Sequence, residues 1–252
     1  MSGHSHWATI RRKKESTDAK KGQLFTKLAR EIVIAAREGG GDPDSNISLR
    51  VAIDKARSMG MPKDNIERAV RRGTGADKDG EVFEEVMYEG YGPNGVAVLI
   101  DVLTDNRNRT VAALRHALSR QGGTLAESGA VAWQFDRKGI ITVPATMGYD
   151  TLFEAAVESG AEDVVEGVES HEVYTAPEDL HAVQVGLKGA GIPVENMELV
   201  MAPKTPMALE PREAAQILKL VDLLEEMDDV RRVFTNLDVT EEAVQAYEAM
   251  MG

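Results

Sequence analysis

The hydrophobic period of this chain changes once, near residue 75, and that change limits the folds open to it. Before it, apolar residues recur every three to four positions. Leu24, Leu28, Ile32 and Ala36 line one face, with Phe25 and Ala29 beside them, the spacing of an amphipathic helix. This helix is expected over 17–38, and Gly39-Gly40-Gly41 with Asp42-Pro43 stops it. A second helix is expected over 45–59, turning Leu49, Ala52, Ile53 and Ala56 inward and ending at Gly60. Pro62 suits the first turn of a third, whose apolar stripe is Ile66, Ala69 and Val70 and whose stop is Gly73.

After a linker over 73–80 the pattern becomes that of strands. Segments 86–91 and 96–103 flank Gly92-Pro93-Asn94-Gly95, a hairpin signal. A helix over 110–121 turns Val111, Leu114 and Leu118 inward, with Asn108 as its expected N-cap. A second hairpin is expected around Asp136-Arg137-Lys138-Gly139. From there the order reads strand 140–143, helix 150–159, strands near 164–165 and 173–174, helix 177–188 and a strand near 198–201. That is β-α-β-β-α-β, the ferredoxin-like order. A helix over 211–227 and a strand over 230–235 remain, and they complete the first α/β unit. The expected fold is therefore α+β: an arm and three-helix domain over 1–75, then two ferredoxin-like α/β domains, one inserted in the other. The outer one takes 81–136 plus 205–240 and the insert takes 137–204.

Composition sets bounds on chemistry and compartment. Apolar residues make up 42% of the 252 and aromatics only 5%, so the cores must be aliphatic. With no cysteine, disulfides, thiolate metal sites and a cysteine nucleophile are excluded. The polar, basic N-terminus is not a secretory signal, and no run approaches the roughly 18 apolar residues of a membrane span. A cytoplasmic protein without membrane attachment is expected.

The net charge of −13 is unevenly spread. Residues 1–75 hold 16 Lys and Arg against 9 Asp and Glu, a net of +7, whereas residues 76–252 hold 13 against 33, a net of −20. Such a chain has a basic end that can approach polyphosphate and an acidic body that repels it.

Catalytic signatures are missing or out of context. No phosphate-binding Gly-x-x-x-x-Gly-Lys-Ser/Thr loop, His-Glu-x-x-His or Gly-x-Ser-x-Gly occurs. Gly90-Tyr91-Gly92-Pro93-Asn94-Gly95 has dinucleotide-site spacing but leads into a strand, where that chemistry needs a helix N-terminus. Asp42 to Asn46 starts like a calcium loop, then places Ile47 where glycine is required and Ile53 where the bidentate acid belongs. His4 and His6 read as parts of a solvated arm rather than metal ligands, and Glu84-Glu85, Glu225-Glu226 and Asp228-Asp229 as solvated faces. No enzyme activity, cofactor, metal or small-molecule substrate is expected.

The N-terminal cluster carries the positive signal. Residues 1–30 hold 8 Lys and Arg against Glu15 and Asp18. Cations at this density neutralise phosphates and release counterions, and a tryptophan among them can stack on a base. The candidate contacts are His4, Trp7, Arg11, Arg12, Lys13, Lys14, Lys20, Lys21, Lys27 and Arg30. A second candidate edge is Asp105-Asn106-Arg107-Asn108-Arg109-Thr110, where Arg107 and Arg109 stand at a strand-to-helix turn. Those two either contact phosphate or pair with local acids.

Several of these segments resemble the YebC/PmpR family. They are Gly3-His4-Ser5-His6-Trp7-Ala8, Asp18-Ala19-Lys20-Lys21-Gly22, Phe25-Thr26-Lys27-Leu28, Gly39-Gly40-Gly41-Asp42-Pro43, Tyr88-Glu89-Gly90-Tyr91-Gly92-Pro93, Thr104 to Thr110 and Gly160-Ala161-Glu162-Asp163-Val164. The resemblance runs end to end. His6 departs from it, standing where the family usually has lysine. What the resemblance implies is three domains and a cytoplasmic, DNA-binding transcriptional regulator. The family's mitochondrial relatives, which include a translational activator of cytochrome oxidase, imply structured RNA or the ribosome instead. The expected partners are DNA, structured RNA or the ribosome, in a role of transcription or translation regulation.

Overall fold

The computed structural model describes residues 18–75, 83–168 and 170–251. Three helices come first: α1 (Asp18–Gly39), α2 (Ile47–Ser58) and α3 (Lys63–Gly73). The apolar stripes meet as their spacing requires. Leu28, Ile32 and Ala36 of α1 pack with Leu49, Ala52, Ile53 and Ala56 of α2 and with Ile66 and Ala69 of α3. Asn46 ties the first two helices together. Its side-chain oxygen accepts the Leu49 N–H and caps α2, while its amide nitrogen donates to the Ala35 and Gly40 carbonyls at 2.6 and 2.8 Å. The triple glycine follows from this. A Cβ on Gly39 would lie 2.6 Å from the Asn46 amide, and Gly40 has φ +86°, a conformation that favours glycine.

The first α/β unit opens with β1 (Glu84–Tyr91), β2 (Ala97–Thr104), α4 (Arg107–Arg120) and the short β3 (Thr124–Leu125). The second follows as β4 (Phe135–Pro144), α5 (Tyr149–Glu158), β5 (Asp163–Val165), β6 (Ser170–Thr175), α6 (Leu180–Gly189) and β7 (Asn196–Pro203). The chain then returns to the first unit with α7 (Pro211–Glu225), β8 (Val230–Thr235) and α8 (Glu241–Met251). The sheet orders are β3-β1-β2-β8 and β5-β6-β4-β7, every pairing antiparallel.

The second sheet has the ferredoxin-like order. In the first, the same positions are filled, but the inner strand β1 comes ahead of the β2-α4-β3 crossover. The insertion thus sits inside an α+β fold of three helices and two four-stranded sheets.

β2 is apolar without alternation because both of its faces are covered. Val98, Ile100 and Val102 pack with α4 and α7, while Ala97 and Leu99 pack with Val131 and Phe135 of the crossing between sheets. That crossing is held by Glu89. Its buried carboxylate accepts the N–H groups of Gly129, Val131 and Ala132 at 2.6, 2.7 and 2.8 Å. Burial pushes this carboxyl up, but the three backbone donors, with Ser128, outweigh it and hold it below the usual range.

The hairpin at Gly92–Gly95 is present. Asn94 and Gly95 take left-handed φ of 57° and 79°. The hairpin expected around Asp136–Gly139 is not. Those residues lie inside β4, paired in turn with Ala202, Met201, Val200 and Leu199 of β7. Gly139 is there for space, since a Cβ would fall 2.8 Å from the Leu180 side chain of α6. The N-cap of α4 is Asn106, not Asn108, and its side chain accepts the Arg109 N–H at 3.1 Å. Helix α8 has no counterpart in the sequence reading. It packs on α7 through the fully buried Tyr247, whose hydroxyl donates to Asp222. No helix among the described residues is long and apolar enough to cross a membrane.

Candidate nucleic-acid interface

Of the expected contacts, His4, Trp7, Arg11, Arg12, Lys13 and Lys14 lie outside the described residues. Lys20 and Lys21 stand on the first turn of α1. Lys27 and Arg30 stand further along it, and both reach toward the connection from α7 to β8. The Lys27 ammonium donates to the Glu225 carbonyl. The Arg30 guanidinium donates to the Asp228 carbonyl at 2.6 Å and to the Asp229 carboxylate at 2.9 Å. It also lies over the Phe83 ring, 5.5 Å from its centroid. A helix C-terminus leaves its last carbonyls without partners inside the helix and carries partial negative charge. Cations of α1 therefore close the end of α7. Their place in the chain led to the expectation of nucleic-acid contacts; in the structure both bind the connection from α7 to β8 and join the helical domain to the body.

Asp229 is the centre of this fastening. Its side chain is 10% exposed and lies between two guanidiniums, Arg30 and Arg109, the latter at 3.1 Å. The hydroxyls of Thr110 and Thr104 donate to it at 2.7 and 3.2 Å. Burial pushes the Asp229 carboxyl up, but the Thr110 and Arg109 hydrogen bonds and the two cations bring it below its ordinary value. Arg109 also binds Asp105 at 2.6 Å. That bond first, and Asp229 second, raise its pKa. Arg107 pairs with Glu84 at 2.6 Å. Both arginines of the second candidate edge thus stand beside acids, and both keep more than half of their side chains in water, 59% for Arg107 and 53% for Arg109.

The shared carboxylate brings together Arg30 of the basic helix α1 and Arg109 of the Asp105–Thr110 turn, 79 residues apart in sequence. Further cations stand on α4 and α3. Helix α4 carries Arg107, Arg109, Arg115 and Arg120 and no acid. Arg115 and Arg120 are exposed and meet no acid among the described residues. Arg68 and Arg71 of α3 are likewise exposed and without an acid partner there. The sequence reading passed over these four, although an acid-free helix within a body of net −20 is visible in composition alone.

Comparison with known proteins gives a consistent picture. A family model described as "TACO1/YebC protein N-terminal domain" matches residues 5–76, and one described as "TACO1/YebC second and third domain" matches 83–237. A Geobacter sp. (strain M21) protein is 49% identical over 97% of this chain and 99% of its own length. One from Acidithiobacillus ferrooxidans is 51% identical over 99% of each. Each is named "Probable transcriptional regulatory protein". The crystal structure of a conserved hypothetical protein from Aquifex aeolicus superposes with a TM-score of 0.78 at 46% identity, covering 89% of this chain and 93% of that one.

Proposed function

Because the chain belongs to the TACO1/YebC family, we propose that it is a non-catalytic regulator of gene expression that binds duplex DNA in the cytoplasm. The observation that carries this reading is the partition of charge, +7 over residues 1–75 against −20 beyond them. An even spread of −13 would repel polyphosphate, whereas this partition leaves one end that attracts it. His4, Trp7, Arg11, Arg12, Lys13, Lys14, Lys20 and Lys21 are the proposed primary contacts. Arg107 and Arg109, with Arg115 and Arg120 along α4, form a proposed second edge. Lys27 and Arg30 serve to hold α1 against the body.

The test compares wild type with a variant in which Arg11, Arg12, Lys13 and Lys14 are all alanine, titrated against duplex DNA over a range of salt. Up to four phosphate contacts are lost, and the salt slope flattens by roughly 0.9 per contact on duplex. Equal affinity and equal slope for the two proteins would refute the arm as the main contact. Crosslinking in cells, followed by sequencing of the attached DNA and RNA, decides between duplex DNA and ribosomal RNA as the target.

A further inference from the structure

We propose that Trp133 is a stacking platform for an unpaired base of single-stranded nucleic acid, set on the crossing between the two α/β units. This rests on the nucleic-acid reading above and adds to it a contact far from the basic arm in sequence. Trp133 is 68% exposed, the most exposed aromatic side chain among the described residues. Its indole N–H is already used, donating to the Ala130 carbonyl at 3.1 Å. The exposed part of the side chain is therefore π surface with no polar atom in search of a partner.

The backbone beneath the ring is fixed on all sides. The Ala130 carbonyl also accepts the Tyr91 hydroxyl at 3.2 Å. Glu89 binds the N–H groups on either side of it, those of Gly129, Val131 and Ala132. Val131 and Phe135 are buried in the contact with the first sheet. A ring held this way loses little freedom when a ligand covers it, which favours binding.

The surroundings select the ligand. An aromatic anchor in a protein–protein interface sits in a desolvated pocket among other apolar groups. Along the chain Trp133 stands between half-buried Ala132 and Gln134, and the exposed residues on either side of that stretch are polar or small: Glu127, Ser128 and Gly129 before it, Asp136 and Arg137 after it. Arg137 meets no acid among the described residues. Lys204, joined to the same turn through its N–H to the Gln134 carbonyl at 2.8 Å, pairs only with the exposed Asp136 at 3.4 Å. A flat aromatic face on a turn whose adjoining segments carry exposed cations is an arrangement suited to single strands, where every base offers a π face.

The chain has two tryptophans, so Trp7→Phe leaves Trp133 as the only indole emitter, and that variant is the reference protein. It is titrated with labelled thymidine and uridine oligonucleotides and with an abasic strand of equal length, reading anisotropy for binding and indole emission for stacking. The base-bearing strands should quench Trp133, while the abasic strand binds without quenching. Adding Trp133→Ala should weaken binding of the base-bearing strands roughly 5- to 100-fold and leave the salt slope unchanged, since no phosphate contact is removed. Quenching by only one of the two sugars assigns the strand type.

Binding by anisotropy with indole emission unmoved and Trp133→Ala neutral would overturn the stacking site and leave the arm intact. No binding of any strand by the wild-type chain, with Trp7 in place, and no binding of duplex DNA by it either, would overturn the nucleic-acid reading and this site with it. The emission arm needs no change at position 133, so it decides the matter even where Trp133→Ala perturbs the fold.

Discussion

Two carboxylates carry more of this structure than their number suggests. Asp229 sits between Arg30 and Arg109 under two threonine hydroxyls, and Glu89 holds three backbone N–H groups. Removing the charge of Asp229 leaves two guanidiniums facing an amide. Breaking a largely buried pair in this way costs about 3 kcal/mol, so Asp229→Asn should lower the urea midpoint accordingly. Glu89→Gln turns an N–H₂ group toward backbone donors and should cost about 1–3 kcal/mol. Both carboxyls lie below their ordinary values in the folded protein. Their stabilisation is therefore complete above about pH 4, the range of an unfolded carboxylate, and is lost as pH falls through the folded values. The stability gap between wild type and the Asp229→Asn, Glu89→Gln double variant should narrow as urea titrations move from pH 7 toward pH 3. A gap that stays constant over that range would contradict the linkage.

At the level of elements, β4 and α4 teach opposite lessons. Asp136-Arg137-Lys138-Gly139 has the composition of a turn, yet it runs through β4, because β7 pairs along it and α6 presses on Gly139. Strand propensity alone favours any residue over glycine there. The packing predicts the reverse: Gly139→Ala forces a Cβ against the Thr175 hydroxyl and the Leu180 side chain, costing about 1–3 kcal/mol. A thermal melt unchanged by this substitution would return the segment to a tolerant turn. In α4 the local signal is sound and only the boundary moves. The asparagine cap is two residues earlier than the best local guess, because Asn106 emerges from β2 in extended geometry, with φ −148°, while Asn108 is already in the helix.

For the whole molecule, the fastening of α1 to the end of α7 decides how the domains behave together. With Lys27 and Arg30 in place, the helical domain and the body share hydrogen bonds to Glu225, Asp228 and Asp229. The Lys27→Ala, Arg30→Ala double variant should release the helical domain, so that calorimetry resolves two transitions where wild type gives one. A single unchanged transition in the double variant would show that the fastening is dispensable. The three helices and their inward residues were legible in the sequence, as were both hairpin strands at Gly92–Gly95, the β-α-β-β-α-β order of the insert and the last strand 230–235. Helical and strand periods are local and survive any tertiary arrangement. Helix α8 was missed although Ala243, Val244 and Tyr247 recur at helical spacing and meet α7. The partners of Lys27 and Arg30 were not legible either, and for Arg109 the pairing with a local acid, Asp105, was one of the two readings while Asp229 was not. Sequence gives the charge of a side chain, while its partner is set by which distant backbone the fold brings within 3 Å, here a buried aspartate 199 residues from Arg30.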